Sequence, residues 1–261
     1  FSTPIIGSWS QHLLDYLSWW DTTAAQRPDH LIPISNTVSK RIQQYYARKP
    51  DEVLYPPVQK VTATDTKPAE IGELPDKFLL CVGRHVFYKR FDVAIRAAAA
   101  ESFPLILVGT GVETPKLKSL AQNIGAETIF LENQSRATVE YLLREATGVL
   151  MPGVEDFGLV GLEALSAGTP VITNAESGVA ECIEPGIHGL HIESANTNEL
   201  SAAIQELIRR DWNSSLLSNH MTKYDDTVFK ETFENKLATL WKQFRTKGVP
   251  CHTSITHSQS S

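Results

Sequence analysis

Four charged side chains stand at positions where they could share one elongated ligand: Arg84, Lys89, Glu155 and Glu163. The two glutamates have seven residues between them, in a stretch running from Gly153 to Gly168. Even in a continuous helix that spacing would separate them by about 12 Å along the axis. They therefore cannot share a proton or act as an acid/base pair on one bond. They can hold the two ends of a single ligand, and the start of a helix near Gly158 would offer free backbone N–H groups to an anion between them. A ligand polar at both ends and anionic in the middle is a sugar nucleotide. Spacing alone leaves the alternative open that Glu155 is a solvated loop acid and Glu163 a solvated helix acid.

The elements that must position these groups follow from the apolar pattern. The run Gly148–Met151 reads as a buried strand stopped at Pro152-Gly153, and Leu159, Leu162 and Leu165 then recur at helical spacing. From Phe78 onward this unit repeats. Apolar runs at 78–82, 104–108, 128–131, 148–151, 170–173 and 189–192 read as strands. Helical patterns at 91–100, 115–124, 136–145, 159–167 and, more briefly, 179–183 separate them, and 198–210 and 229–244 read as closing amphipathic helices. Alternating strands and helices imply an α/β fold, a Rossmann-like doubly wound parallel sheet. With the common strand order 3-2-1-4-5-6, the ligand crevice lies beyond the first and fourth strands. The loops there are 83–90, with Arg84, Lys89 and Arg90, and 152–157, with Glu155. Two cations facing a helix N-terminus suit a diphosphate; the alternative for the three basic residues is a solvated turn.

Upstream, residues 1–27 carry Trp9, Tyr16, Trp19 and Trp20 among leucines, which suggests a helix lying against a larger surface. Residues 31–34 and 53–55 read as short strands, and Ser35-Asn36-Thr37 as the cap of a helix through about Ala47. Residues 59–76 are polar and aperiodic and form the expected linker; residues 246–261, rich in Ser, Thr and His, are expected to be a disordered tail. The expected domains are then 1–58 and 77–245, joined by the 59–76 linker and followed by the 246–261 tail.

Composition narrows the classes. The chain has 261 residues, 42% hydrophobic and 21% charged, an ordinary globular balance. A net charge of -6 argues against nucleic acid as a partner. No apolar run reaches the ~18–20 residues of a transmembrane helix. Cys81, Cys182 and Cys251 have no metal or CxxC spacing and suit a reducing compartment. No metal triad forms around His85 or His188. Gly109-Thr-Gly111 follows a strand, but Thr114 replaces the third glycine of a dinucleotide fingerprint, so a tight turn is the simpler account.

Gly83-Arg84…Lys89, the stretch from Glu155 through Glu163-Ala164, and Ala167-Gly-Thr-Pro-Val171 together resemble the retaining glycosyltransferases of family 4, which have the two-domain GT-B fold. The resemblance spans roughly residues 20–210. Trp20-Asp21, Ile34-Ser-Asn36 and Tyr55-Pro-Pro-Val58 are most similar to the mannosyltransferase-like branch. The resemblance implies that Gly83, Arg84 and Lys89 meet the donor diphosphate, that Glu163 holds the ribose and that Glu155 holds the transferred sugar. It further implies backbone contacts at Phe157, Gly158, Leu159 and Val160, and a base near Leu131 and Glu132. The implied reaction is sugar transfer from a nucleotide sugar, GDP-mannose or a UDP-sugar, to a glycan or lipid-linked glycan with retained configuration. No cofactor or metal is expected. The implied place is cytoplasmic, with peripheral membrane contact where the acceptor is lipid-linked. Most of the family's N-terminal acceptor domain has no counterpart here: residues 1–58 resemble its last part, which would leave Trp19 and Trp20 without their partner surface. A sugar-nucleotide epimerase on the same fold and a non-catalytic nucleotide-sugar-binding module are the competing readings.

Overall fold

The computed structural model describes residues 4–61, 67–68 and 71–247. Two helices lead, α1 (Pro4–Ala25) and α2 (Asn36–Tyr46). The body then alternates β1 (Leu79–Val82), α3 (Phe91–Ala100), β2 (Leu105–Val108), α4 (Thr114–Asn123), β3 (Thr128–Leu131) and α5 (Arg136–Glu145). It continues with β4 (Gly148–Met151), α6 (Leu159–Ser166), β5 (Val171–Asn174), β6 (Gly189–Ile192) and α7 (Thr197–Arg209). Two further helices follow, α8 (Ser214–His220) and α9 (Asp226–Lys247).

The six strands form one parallel sheet in the order β3-β2-β1-β4-β5-β6. Side chains alternate between its faces, so successive residues of one strand feed two separate cores. Leu80, Ile106 and Val149 join Leu142, Leu143, Leu162 and Leu165 on one side. Leu79, Leu105, Leu107, Leu150 and Ile172 join Ile95, Leu117 and Ile204 on the other. The central strands β1, β2 and β4 are apolar because both of their faces are covered, while the edge strand β3 is only half-buried and starts on Thr128.

Several expectations shift. Residues 31–34 and 53–55 are not strands. The Asp51 and Leu54 N–H groups do donate to the Leu31 and Pro33 carbonyls, at 2.8 and 2.9 Å. Pro33 has no N–H with which to return such a bond, and the pairing stops short of a ladder. The segment expected as a helix at 179–183 is a 3-10 turn over Gly178–Cys182. A 3-10 turn at Phe87–Lys89 and helix α8 have no counterpart in the sequence reading. Within 59–76, Ile71 is buried against the sheet core and the Val61 N–H donates to Ser166 Oγ. Helix α9 runs through Lys247, two residues into the stretch expected as a tail; 248–261, with Cys251, His252 and His257, lie outside the described residues.

Candidate functional site

The reversal of strand order falls between β1 and β4, and the loops after these two strands are pressed together. Gly153 approaches so closely that any side chain there would collide with the Tyr88 carbonyl and the Lys89 backbone. Only glycine fits that crossing. At Gly83 φ is +145°, and a Cβ would stand 3.0 Å from Lys89 Cε, so the lysine stem lies flat over it. Lys89 Nζ thereby reaches Glu155 Oε1 at 2.7 Å, with the side chains only 11% and 19% exposed. Sixty-six residues apart in the chain, the cation and the acid meet where the topology placed the crevice.

The Glu155 loop is held from both sides. Its N–H donates to Ser177 Oγ, which in turn donates to the Gly153 carbonyl. The Gly178 and Val179 N–H groups donate to the Glu155 and Phe157 carbonyls. From the N-terminal segment, buried Ser35 donates through Oγ to the Asp156 carbonyl, and Arg41 pairs with the Asp156 carboxylate. Phe157 is buried beside Tyr55. The Tyr55 hydroxyl is pushed up to about 12 by burial and by its hydrogen bond to Glu181. A hollow of about 510 Å³ opens here, lined by Arg41, Tyr88 and residues 154–157.

Gly158 then starts α6 with φ +99°, and no side chain caps the helix. Among the described residues no acceptor takes the N–H of Leu159 or Val160, which leaves these first-turn donors open to an anion. One and a half turns on, Glu163 accepts from Arg136 Nη1 at 2.7 Å, and Arg136 Nε bonds Glu140 at 2.7 Å. Burial alone would lower the Arg136 guanidinium, but its hydrogen bonds to Glu163 and Glu140 outweigh that and raise it. Neither glutamate is the solvated acid that spacing left open: each accepts from a cation and is mostly shielded.

The other expected residues fall as follows. Arg84 is exposed on the loop after β1; its carbonyl accepts from the Val86 N–H at 2.9 Å, and among the described residues its guanidinium makes no hydrogen bond or ion pair. Leu131 ends β3, and Glu132 beside it is paired with Lys118 at 2.7 Å, which holds its carboxyl below the usual range. Arg90 does not join the diphosphate group: it turns back onto Asp92 of α3 at 3.2 Å. Gly109 and Gly111 are where the β2 loop meets the backbones of Gly83 and His85, which makes them packing glycines. His85 is buried against Phe91 and Phe130 with Nδ1 on Thr114 Oγ, and His188 stacks on His220. Among the described residues no group of three potential metal ligands forms, and no helix is long and apolar enough to cross a membrane.

Sequence reasoning missed Arg136, Ser177 and Arg41. Arg136 and Glu140 form a visible i,i+4 pair, but nothing local points that arginine at Glu163.

Comparison with known proteins bears on this arrangement. The family described as "Glycosyl transferases group 1" matches residues 64–225. A D-inositol 3-phosphate glycosyltransferase of Actinosynnema mirum is 31% identical over 203 residues, 69% of this chain and 49% of that protein. An uncharacterized glycosyltransferase of Methanocaldococcus jannaschii is 29% identical over 52% of this chain and 37% of its own length. The chain spans about half, or less, of the curated relatives it matches. Among solved structures, Anabaena HepE in complex with UDP-glucose superposes with a TM-score of 0.72 at 20% identity, over 88% of this chain and 69% of HepE. A sucrose-phosphate synthase of Thermosynechococcus elongatus gives 0.71 at 19%, over 90% and 63%. At these identities the structural likeness shows the fold, that of the GT-B glycosyltransferases.

Proposed function

This chain belongs to the group 1 glycosyltransferases, and on that premise we propose that it is the donor half of an enzyme moving a sugar from a nucleoside-diphosphate sugar to a glycan or lipid-linked glycan. The observation that carries the reading is the meeting of Lys89 and Glu155 across the strand-order reversal, just ahead of the open first turn of α6. In this reading Arg84, Lys89 and the Gly83 turn hold the diphosphate together with the amides of Leu159 and Val160. Glu163, fixed by Arg136, accepts from the ribose hydroxyls. Glu155 accepts from the hydroxyls of the sugar that moves, with Phe157 and Gly158 shaping its seat. The base lies along Leu131 and Glu132.

The chemistry is leaving-group stabilisation. As the bond from sugar to diphosphate breaks, negative charge grows on the phosphate oxygen, and preorganised cations and N–H dipoles lower that barrier. Fixed charge at the leaving group requires neither glutamate to be a nucleophile, which fits transfer with retained configuration in the manner of family 4. GDP-mannose is the first candidate donor, and a UDP-sugar the second, HepE being described with UDP-glucose. Residues 1–58 act as the end of an acceptor domain, and the exposed face of α1 supports that assignment. A lipid-linked acceptor would place the enzyme at the cytoplasmic face of a membrane.

Calorimetry with UDP and GDP tests the site. One of the two should bind, and the double substitution Arg84→Ala, Lys89→Ala should weaken it by about a hundredfold, two charge-assisted contacts at ~1.5 kcal/mol each. Undiminished binding by the double variant would overturn the assignment. Product analysis with radiolabelled donor separates transfer from the epimer that a sugar-nucleotide epimerase would release.

A further inference from the structure

Lys89 is expected to grip a diphosphate, yet its ammonium already has a partner. Its Nζ lies 2.7 Å from the Glu155 carboxylate, mostly withdrawn from water, and Gly83 closes off another side. The bracing of the Glu155 backbone by Ser177, Gly178 and Asp156's contacts keeps the loop carrying that acid close to the lysine. Any phosphate on Lys89 therefore approaches a fixed negative charge, one that solvent screens poorly.

We propose that Glu155 sets the selectivity of the site for the sugar-bearing donor over the spent nucleoside diphosphate, by standing beside Lys89 as a counter-charge. The inference rests on the donor reading above. With the intact donor, sugar hydroxyls lie between the diphosphate and Glu155 and donate to it, so the carboxylate is satisfied. Once the sugar leaves, its hydroxyls no longer stand between the two anions, and Lys89 alone is left to serve both. The terminal phosphate also gains an ionisable oxygen, whose second proton is lost with a pKa of about 6. The product then carries more charge than the substrate and faces the carboxylate directly. Glu155 thus loosens the diphosphate that Lys89 would otherwise retain. The same acid favours substrate by hydrogen bonding and disfavours product by repulsion.

The test is calorimetry on the full chain with UDP, GDP, UMP and GMP. Glu155→Gln keeps the shape and removes the charge, and it should bind the preferred diphosphate about tenfold tighter than the wild type, ~1.4 kcal/mol. Affinity for the matching monophosphate, which lacks the terminal phosphate, should stay within twofold. On a Lys89→Met background the same substitution should still tighten diphosphate binding, because the repulsion between the carboxylate and the terminal phosphate does not pass through the lysine; no gain there would overturn the repulsion. Glu155→Ala should show the same tightening and serves where the Gln variant unfolds, as judged by circular dichroism. Equal or weaker diphosphate binding by both variants, with a wild type that binds, overturns this inference and leaves the donor reading standing. A wild type that binds neither UDP nor GDP overturns both.

Discussion

The sheet body and the N-terminal segment of this chain are held by different forces. In the body, Leu79, Leu80, Leu105, Ile106, Leu107 and Leu150 are sealed from water between two helical layers. In the segment, α2 buries no residue fully, and α1 leaves Leu13, Leu14, Tyr16, Leu17, Trp19 and Trp20 between 47% and 63% exposed. What docks α2 to the body is polar. The Asn36 and Thr37 N–H groups donate to the Glu181 carboxylate. Thr37 Oγ donates to the Glu176 carbonyl, and Ser35 and Arg41 hold Asp156. Such bonds contribute about 1 kcal/mol each, and exposed ion pairs less. A few directional bonds fix where a loop sits without adding much to stability. The segment therefore positions the Glu155 loop, while apolar burial in the body makes the fold.

That contrast can be broken by experiment, beginning where the effect should be greatest. Leu80→Ala empties part of a closed core and should cost about 2–5 kcal/mol in urea unfolding. A loss below about 1 kcal/mol would mean that the sheet layers are looser than their burial indicates. Gly153→Ala sharpens the contrast, because it forces apart the loops after β1 and β4 without touching the core. It should cost about 1–3 kcal/mol and should weaken nucleoside diphosphate binding more than tenfold, ~1.4 kcal/mol or more. Equal affinities in the variant and wild type would detach the site from that crossing. Smallest should be Trp19→Gln with Trp20→Gln, on a face that the described residues do not cover. The unfolding free energy should change by no more than about 0.5 kcal/mol, and a loss of 2 kcal/mol or more would erase the distinction between the two regions.

Much of the body was legible in advance. Each of the six strands and most of the helices between them lie within a residue or two of the apolar runs that announced them, because strands covered on both faces, as β1, β2 and β4 are, read as short apolar runs. The Ser35 cap was legible for a local reason: its hydroxyl accepts from Val38 N–H three residues on. Where tertiary context competes, reading failed. Residues 31–34 have the composition of a strand but only two backbone bonds to 51–54. Arg90, grouped with Arg84 and Lys89 by sequence, is turned away by its left-handed backbone, φ 55°, onto Asp92.

Sequence alone determined the strands and helices and which strand ends carry Arg84, Lys89 and Glu155, since hydrophobic period, cap and turn residues act within a few positions of one another. Only the tertiary structure decided their partners. Lys89 meets Glu155 across 66 residues and Arg136 meets Glu163 across 27, and neither separation leaves a periodic trace. The first pair is chosen by the sheet order, which brings the loops after β1 and β4 together, and the second by the packing of α5 against α6. Close backbone approach at Gly153, together with the shelter of the surrounding loops, then turns two solvent-seeking charges into neighbours.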